Sequence, residues 1–548
     1  MTDALDPVTT EIIARHVIAT AEEMGVVLMR TAFSPNIKER HDCSTAIFDA
    51  KGNVVAQAEH VPIHLGSMIG AIDSIRARFP QQEIRPGDMF VANDPYNGGG
   101  SHLPDLNVIA PVFHAGRIVA YVANIAHHAD VGGMVPGSEA AVCESIFQEG
   151  LRLPPVRLMR QGAVAQDMFE VILLNSRTPE ERKGDLNAQL AANRVGIRAV
   201  ESLIARYGAD IFEQALSSYL DFTERRFRAA VSDLPDGDYF AEDFLGGDEE
   251  GTLARLACTL TVRGGELTFD FTGTDPQLRF ARNIPNQALV ATVYCVAKAI
   301  LDPDAPANGG AFRIINIAAP KGSIVQPVPP APVGTRSISC SVLSDVVLTV
   351  LSQAIPGRGF AGSGPHALMV LSGTDPRTGN YFVDYETVAG ALGAQTTCDG
   401  LDAVRTLTSG SANLPVEALE HAYPLRVETY ALRTGAGGAG QYRGGDGIVR
   451  DFRALGDDIT VSVSGERQHA AAPGAAGGGD GALGSFILDP GGPNERKLSA
   501  AVGNEPLPRG AIIRVTTPGG GGWGDPALRD PALIAKDIRE DRVRPEGS

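Results

Sequence analysis

The stretch Asn93–Gly133, NDPYNGGGSHLPDLNVIAPVFHAGRIVAYVANIAHHADVGG, organises the reading of the whole chain. Its middle holds two apolar, β-branched-rich runs, 106–113 and 117–126, separated by His114-Ala115-Gly116. Two such runs joined by a three-residue link with glycine last predict a β-hairpin. With the turn centred on Ala115, cross-strand partners carry numbers summing to about 230. Asp105 then faces Ile125, and His102 faces His128, with His127 and Asp130 alongside. The hairpin so drawn gathers His102, Asp105, His127, His128 and Asp130 at its open mouth. Two imidazoles and a carboxylate with positions left open form the kind of site that binds zinc, manganese or iron and activates water. One histidine at a hairpin mouth is more often plain polar surface; this set on adjoining strand ends favours a metal. His114 belongs to the far turn and stays outside the set.

Eight of the 11 histidines fall within the first 128 residues, so imidazole chemistry is sought there. His60 and His64 stand four apart with Pro62 between them, which suits a structural or substrate-lining role better than a helical metal pair. Cys43 reads as a buried small residue rather than a nucleophile.

Outward from the hairpin, Asp6-Pro7 starts a helix to about Arg30, with Ile13, Val17, Ala21, Met24 and Leu28 on one stripe. Two short strands follow around a Lys51-Gly52-Asn53 turn, then a helix over 66–79 and a strand over 88–92. Residues 165–231 read as long antiparallel helices, and alternation after Asp236 predicts antiparallel strands. A helix is expected near 288–301. The final third, from about 360, is β-rich, with glycine clusters at 435–447, 474–484 and 519–524. The fold class is mixed α/β (α+β): an N-terminal metal-site region at 1–164, a helical segment at 165–235, a mixed β/α region at 236–359, and a β-rich, glycine-rich region at 360–548.

The chain has 548 residues and a net charge of -18 from 47 basic and 65 acidic side chains, which disfavours nucleic acid and anionic membrane as partners. No uninterrupted apolar run reaches membrane-span length, and the acidic N-terminus lacks a signal-peptide pattern, so a cytoplasmic location is expected. The six cysteines are scattered, with no Cys-x-x-Cys, as for free thiols in a reducing compartment. No phosphate-loop motif is present. In TTPGGGGWGDP, Pro518, Trp523 and Pro526 sit where a phosphate needs free amides, so loop geometry or partner docking is expected of these glycines.

The hairpin stretch resembles the B subunit of N-methylhydantoinase-type enzymes, the matching half of 5-oxoprolinase, and the related subunit of acetone and acetophenone carboxylases. The resemblance extends through ERHDCSTAIFDAKGNVVAQAEHVPIHLG, IFQEGLRLPPVRL, LNAQLAANRVG, DFTGTDPQ, PANGGAFRIINIAAPKGSIVQP, NLPVEALEHAYPLRVETYALRTGAGGAGQYRGGDG and TPGGGGWGDP. It implies a division of labour. An A-type partner with an actin-like ATPase fold phosphorylates a small cyclic amide or related carbonyl substrate. The B-type chain binds one divalent metal (Zn, Mn or Fe) and completes the reaction, ATP being used by the partner and not bound here. The implied ligands are Asp42, His102, Asp105 and His127. Cys43 stands where the family usually has phenylalanine, which leaves the ligands intact and alters the pocket. Beside these, Asp130 or Glu149 is a candidate general base or proton carrier, and His128 a candidate for orienting a substrate oxygen. Each has an alternative supporting role, and Arg40 is either an anion partner or a structural ion pair. The expected assembly is a hetero-oligomer, which leaves room for a homodimer of this chain. Two other readings compete: a bicarbonate-using ketone carboxylase subunit, and a scaffold for the ATPase.

Overall fold

Asp6 caps the first helix as its sequence predicts, its carboxylate accepting the Thr9 N–H at 3.0 Å. In this computed structural model, residues 5–58, 61–405 and 407–542 are described; His60 lies outside them. Helix α1 (Pro7–Thr31) buries Ile13, Val17, Ala21, Met24 and Leu28, the expected stripe. A short helix, α2 (Pro35–Lys38), leads into a seven-stranded antiparallel sheet. Its strands are β1 (Cys43–Asp49), β2 (Val54–Ala58), β3 (Met89–Ala92), β4 (Asp105–His114), β5 (Arg117–His127), β6 (Val156–Arg160) and β7 (Ala163–Val164), in the order β2-β1-β5-β4-β3-β6-β7. The hairpin β4–β5 is therefore the centre of the sheet. Both faces of that centre are covered, which explains why its strands read as continuous apolar runs.

The hairpin register differs from the expectation. Asp105 pairs with His127, not Ile125. Two local features account for the shift. The connection is a two-residue turn, Ala115-Gly116, with both φ positive at 48° and 79°, as a tight primed hairpin turn requires. A bulge then inserts Val119 of β5 between the Val112–Ala120 and Phe113–Ile118 pairs, adding one more residue.

One face of the sheet, through Val108, Val122 and Ala126, packs on α1 and on two long helices, α5 (Pro179–Tyr207) and α6 (Ala209–Ser232), with α3 (His64–Arg78) on the other face and α4 (Gln166–Leu174) ahead of α5. The other face, through Ile109, Ala123 and Ile125, joins α3 to a second sheet in one core. That sheet holds β8 (Gly237–Gly246), β9 (Leu253–Arg263), β10 (Glu266–Asp270) and β11 (Ile315–Ala318), in the order β11-β10-β9-β8. Helices α7 (Asn286–Leu301), α8 (Gly309–Phe312) and α9 (Arg336–Ala354) complete this layer. Helix α9 went unread in the sequence because it is apolar nearly all round and shows no polar stripe. Among the described residues it is the one helix long and apolar enough to cross a bilayer, and most of it lies buried inside the protein.

The C-terminal region is β-rich, as expected. Strands β12 (Ala367–Thr374), β13 (Tyr381–Val388), β16 (Thr460–Ser464) and β19 (Ala501–Pro506) form one sheet in the order β13-β12-β16-β19. Strands β14 (Leu425–Leu432), β15 (Ile448–Ala454), β17 (Ser485–Leu488), β18 (Arg496–Leu498) and β20 (Ile512–Thr516) form the other, with a shared core between the two. The three glycine clusters interlock backbone against backbone. A Cβ on Gly519 would lie 1.8 Å from the Ala436 carbonyl oxygen, and one on Gly444 would lie 1.9 Å from that of Gly520. The N–H groups of Gly519, Gly520, Gly521, Gly522, Trp523 and Gly524 all donate to backbone carbonyls. None of these amides is left to cradle a phosphate.

Candidate metal centre

Pairing within the first sheet builds the site from three neighbouring strand ends. Asp105 at the start of β4 stands directly opposite His127 at the end of β5. The His127 N–H donates to the Asp42 carbonyl at 3.0 Å, which sets Asp42, just ahead of β1, beside His127. Successive strand residues point to opposite faces, so His127 and His128 part company there. His127 faces the cluster. His128 faces α5, where its Nε2 lies 3.0 Å from Gln189 Oε1.

His102 comes from the turn before β4. Its Nδ1 donates to the Gly334 carbonyl at 3.0 Å, just ahead of α9. The Nε2 lone pair then faces Asp105 Oδ2 at 3.1 Å, without a hydrogen bond between them. Two lone pairs at that distance repel unless a cation or proton lies between them. The ligand atoms of His102, Asp105 and His127 all fall within 4.8 Å of one another, and all three residues are buried. His102 Nε2, Asp105 Oδ1 and His127 Nε2 have no hydrogen-bond partner. Buried polar atoms left unpaired on one point are what a bound cation satisfies, and nitrogen–oxygen donors suit zinc, manganese or iron. These three residues fit a divalent metal.

Further groups frame the triad. Arg336 donates to Asp105 Oδ2 at 2.6 Å, and Ser101 Oγ does so at 3.1 Å, which leaves Oδ1 free. Burial pushes the Asp105 carboxyl up, but His102, Arg336 and His64 beside it hold it well below the usual carboxylate range. Asn36 Nδ2 lies 2.8 Å from the His127 carbonyl and 3.1 Å from its Nδ1, fixing the ring on the side away from the cluster. The Tyr385 ring stacks on His127 with centroids 4.5 Å apart.

The structure adds two residues that spacing did not place. His64, at the start of α3, sets Nε2 at 3.6 Å from both Asp42 Oδ1 and Asp105 Oδ1. Its Nδ1 lies 3.1 Å from Oγ of Ser44, which lines a mostly apolar pocket of about 200 Å³ together with Leu65, Tyr294 and Phe312. Glu139 sets Oε2 at 3.4 Å from His127 Nε2 and Oε1 at 3.8 Å from His102 Nδ1. Burial would raise its carboxyl, but the adjacent His127 and the charge of His102 lower it to about 2. Glu139 follows the glycine-rich turn after β5, and no periodic pattern marks it. Pairing of β1 with β5 is the signal that could have found Asp42.

The other expected site residues stand outside the triad, Glu149 directly behind His102. His128 is not brought to the cluster: strand alternation turns it toward α5, and burial, with Arg182 nearby, lowers it to about 4. Asp130 is taken up by Arg177, which donates through Nη1 at 2.8 Å and through its backbone N–H at 2.7 Å, and by the Gly137 N–H at 3.1 Å. Those bonds hold a loop and leave no carboxylate oxygen for water. Glu149 accepts the Val333 and Gly334 N–H groups, and burial raises its carboxyl to about 8. Arg40 donates to the Tyr385 and Ala412 carbonyls and to Thr387, so it ties the first sheet to the C-terminal region rather than facing an anion.

The site is a buried nitrogen–oxygen cluster at the end of a central antiparallel sheet, roofed by a second β-rich region. The chain belongs to the hydantoinase B/oxoprolinase family, whose description matches residues 6–526. It is 32% identical over 571 residues to the caprolactamase subunit beta of Pseudomonas jessenii, covering 100% of this chain and 95% of that one. The crystal structure of the ATP-dependent caprolactamase from that organism superposes with a TM-score of 0.90 at 28% identity, over 100% of this chain and 96% of that one. A 5-oxoprolinase of Dictyostelium discoideum is 31% identical over 539 residues, which covers 96% of this chain and 41% of that protein. A nucleotide-free acetone carboxylase structure shares the fold, with a TM-score of 0.91 at 20% identity, over 98% of this chain and 78% of that one.

Proposed function

We propose that this chain is the metal-dependent B-type subunit of an ATP-dependent hydrolase of cyclic amides. An A-type ATPase partner phosphorylates the amide oxygen, and this subunit delivers water that opens the ring. An unactivated amide resists attack because resonance stabilises its carbonyl and nitrogen leaves poorly. Phosphorylation on oxygen removes that resonance and leaves an electrophilic carbon. Asp42, His102, Asp105 and His127 would hold one divalent cation, which when bound would supply the Lewis acidity that turns water into a nucleophile near neutral pH.

The residues of the chain do the rest. The Gly334 carbonyl keeps His102 Nδ1 protonated, so its Nε2 lone pair stays available. Arg336 occupies one oxygen of Asp105 and keeps that carboxylate ionised and oriented. Tyr385 closes one side of His127 and excludes water there. ATP is assigned to the partner because the amides of the 519–524 loop are already bonded internally. The related caprolactamase chain is named as a subunit, which supports a hetero-oligomer. Likeness to the caprolactamase at 28–32% identity favours a hydrolase over a carboxylase, where the likeness is of fold alone.

The arrangement that carries this reading is His102 Nε2 facing Asp105 Oδ2 at 3.1 Å with no hydrogen bond between them. The test combines the purified chain with its A-type partner and ATP on a panel of hydantoin, 5-oxoproline and caprolactam. Ring opening is expected only with both chains, ATP and metal. Turnover that requires bicarbonate would replace the hydrolase with a carboxylase.

A further inference from the structure

One metal does not account for all the open valences at this site. A cation bound by the triad would satisfy His102 Nε2, His127 Nε2 and Asp105 Oδ1. It leaves His366, buried to 1% exposure with neither ring nitrogen hydrogen-bonded. Orphaned imidazole nitrogens in a protein interior are rare, because each unmade bond costs about 1–3 kcal/mol. A polar substrate group at the cluster would satisfy one of them.

The placement of His366 says which molecule. It directly precedes β12, in the alternation that puts Leu368 and Val370 on the face shared with Tyr385 of β13. Tyr385 stacks on His127, and Thr387, opposite Leu368, takes the Arg40 guanidinium. This face of the C-terminal sheet is the roof of the metal cluster. The charged groups acting on His366 are Arg405, Glu139, Arg336 and Arg40, all from the same shell. Burial and these three arginines lower it to about 3, so the ring is neutral and carries one donor and one acceptor. A neutral imidazole among arginines suits an oxygen acceptor better than another cation.

The geometry points to His366 as a substrate-binding residue, whose ring N–H donates to the amide-derived oxygen that carries the phosphoryl group in the activated substrate at the metal cluster. This role rests on the hydrolase reading above, and it assigns to the C-terminal region a direct part in substrate recognition. A ring amide lacking that donor loses both orientation and a bond made at the reacting oxygen.

The test uses the full chain with its ATPase partner and the same panel of hydantoin, 5-oxoproline and caprolactam. Three variants are compared with wild type: His366→Phe, His366→Ala and His366→Gln. Metal content by elemental analysis, Tm, and kcat and KM are measured for each. Phe and Ala are expected to lower kcat/KM roughly 10²-fold at unchanged metal stoichiometry, with Gln restoring part of it through its amide N–H. Phe keeps most of the packing, so its Tm separates a folding defect from a binding one. Unchanged kcat/KM in the Phe variant, or loss of metal in all three, would overturn the assignment while leaving the hydrolase reading intact. A wild-type complex that opens none of these rings would overturn both.

Discussion

Glu149 and Gly334 form a relay that aims a metal ligand. The Glu149 carboxyl group accepts the Gly334 N–H at 2.7 Å, and the carbonyl of the same glycine takes His102 Nδ1–H at 3.0 Å. Glu149 also accepts the Val333 N–H at 2.7 Å, so it pins the turn ahead of α9.

The relay predicts that Glu149→Ala weakens metal binding without removing any ligand. Loss of such an outer partner typically costs about 10–100-fold in affinity. Competition with a chelator measures it. Glu149→Gln, which retains one acceptor oxygen, should fall between wild type and Ala. Equal affinity in all three would show that the turn holds itself.

How much of this was legible in the residues depends on the range of the contacts. The α1 stripe and the apolar pairs of β4–β5 are local, and period and turn chemistry disclose them. The register differs by two, one from the two-residue Ala115-Gly116 turn and one from the bulge at Val119, which leaves no mark among β-branched residues. Asp42 joins the site only through pairing of β1 with β5, across an intervening helix and three strands. Spacing within one segment cannot carry that. Glu139 and His366 arrive from a glycine-rich turn and from a separate sheet, where no periodicity points to them. Of the adjacent pair His127-His128, alternation alone sends one to the cluster and one to Gln189, but only a known register says which.

The glycine clusters predict a steric test. A Cβ at Gly519 would sit 1.8 Å from the Ala436 carbonyl oxygen, a backbone atom that cannot swing aside. Gly519→Ala should therefore destabilise the chain by about 3 kcal/mol or more. Gly510→Ala is a poor control, since its φ of 88° strains any side chain whatever the space. Gly479, with an ordinary φ and its nearest neighbour at 3.5 Å, should accept Ala with little change. Denaturant melts of Gly519→Ala and Gly479→Ala check the contrast.

His366 predicts a pH effect on stability. Its pKa falls from 6.5 in the unfolded chain to about 3 in the folded one. Between those values the unfolded chain binds the extra proton, so this residue's contribution is fully present above pH 6.5 and is lost as pH falls toward 3. His366→Phe lacks the titration. Moving from pH 7 to pH 5, the variant should gain on wild type by about 2 kcal/mol, read from urea unfolding at the two pH values. An unchanged difference would mean that the ring is already charged in the fold.

A divalent cation shared by His102, Asp105 and His127, with Asp42 completing the set, is the centre of the proposed reaction. Elemental analysis of the purified chain, paired with His102→Ala and Asp105→Asn, tests it in one measurement. One equivalent of zinc, manganese or iron is expected in wild type, with nearly none in either variant. A metal-free wild-type chain that still supports ATP-dependent ring opening in the presence of a chelator would contradict it.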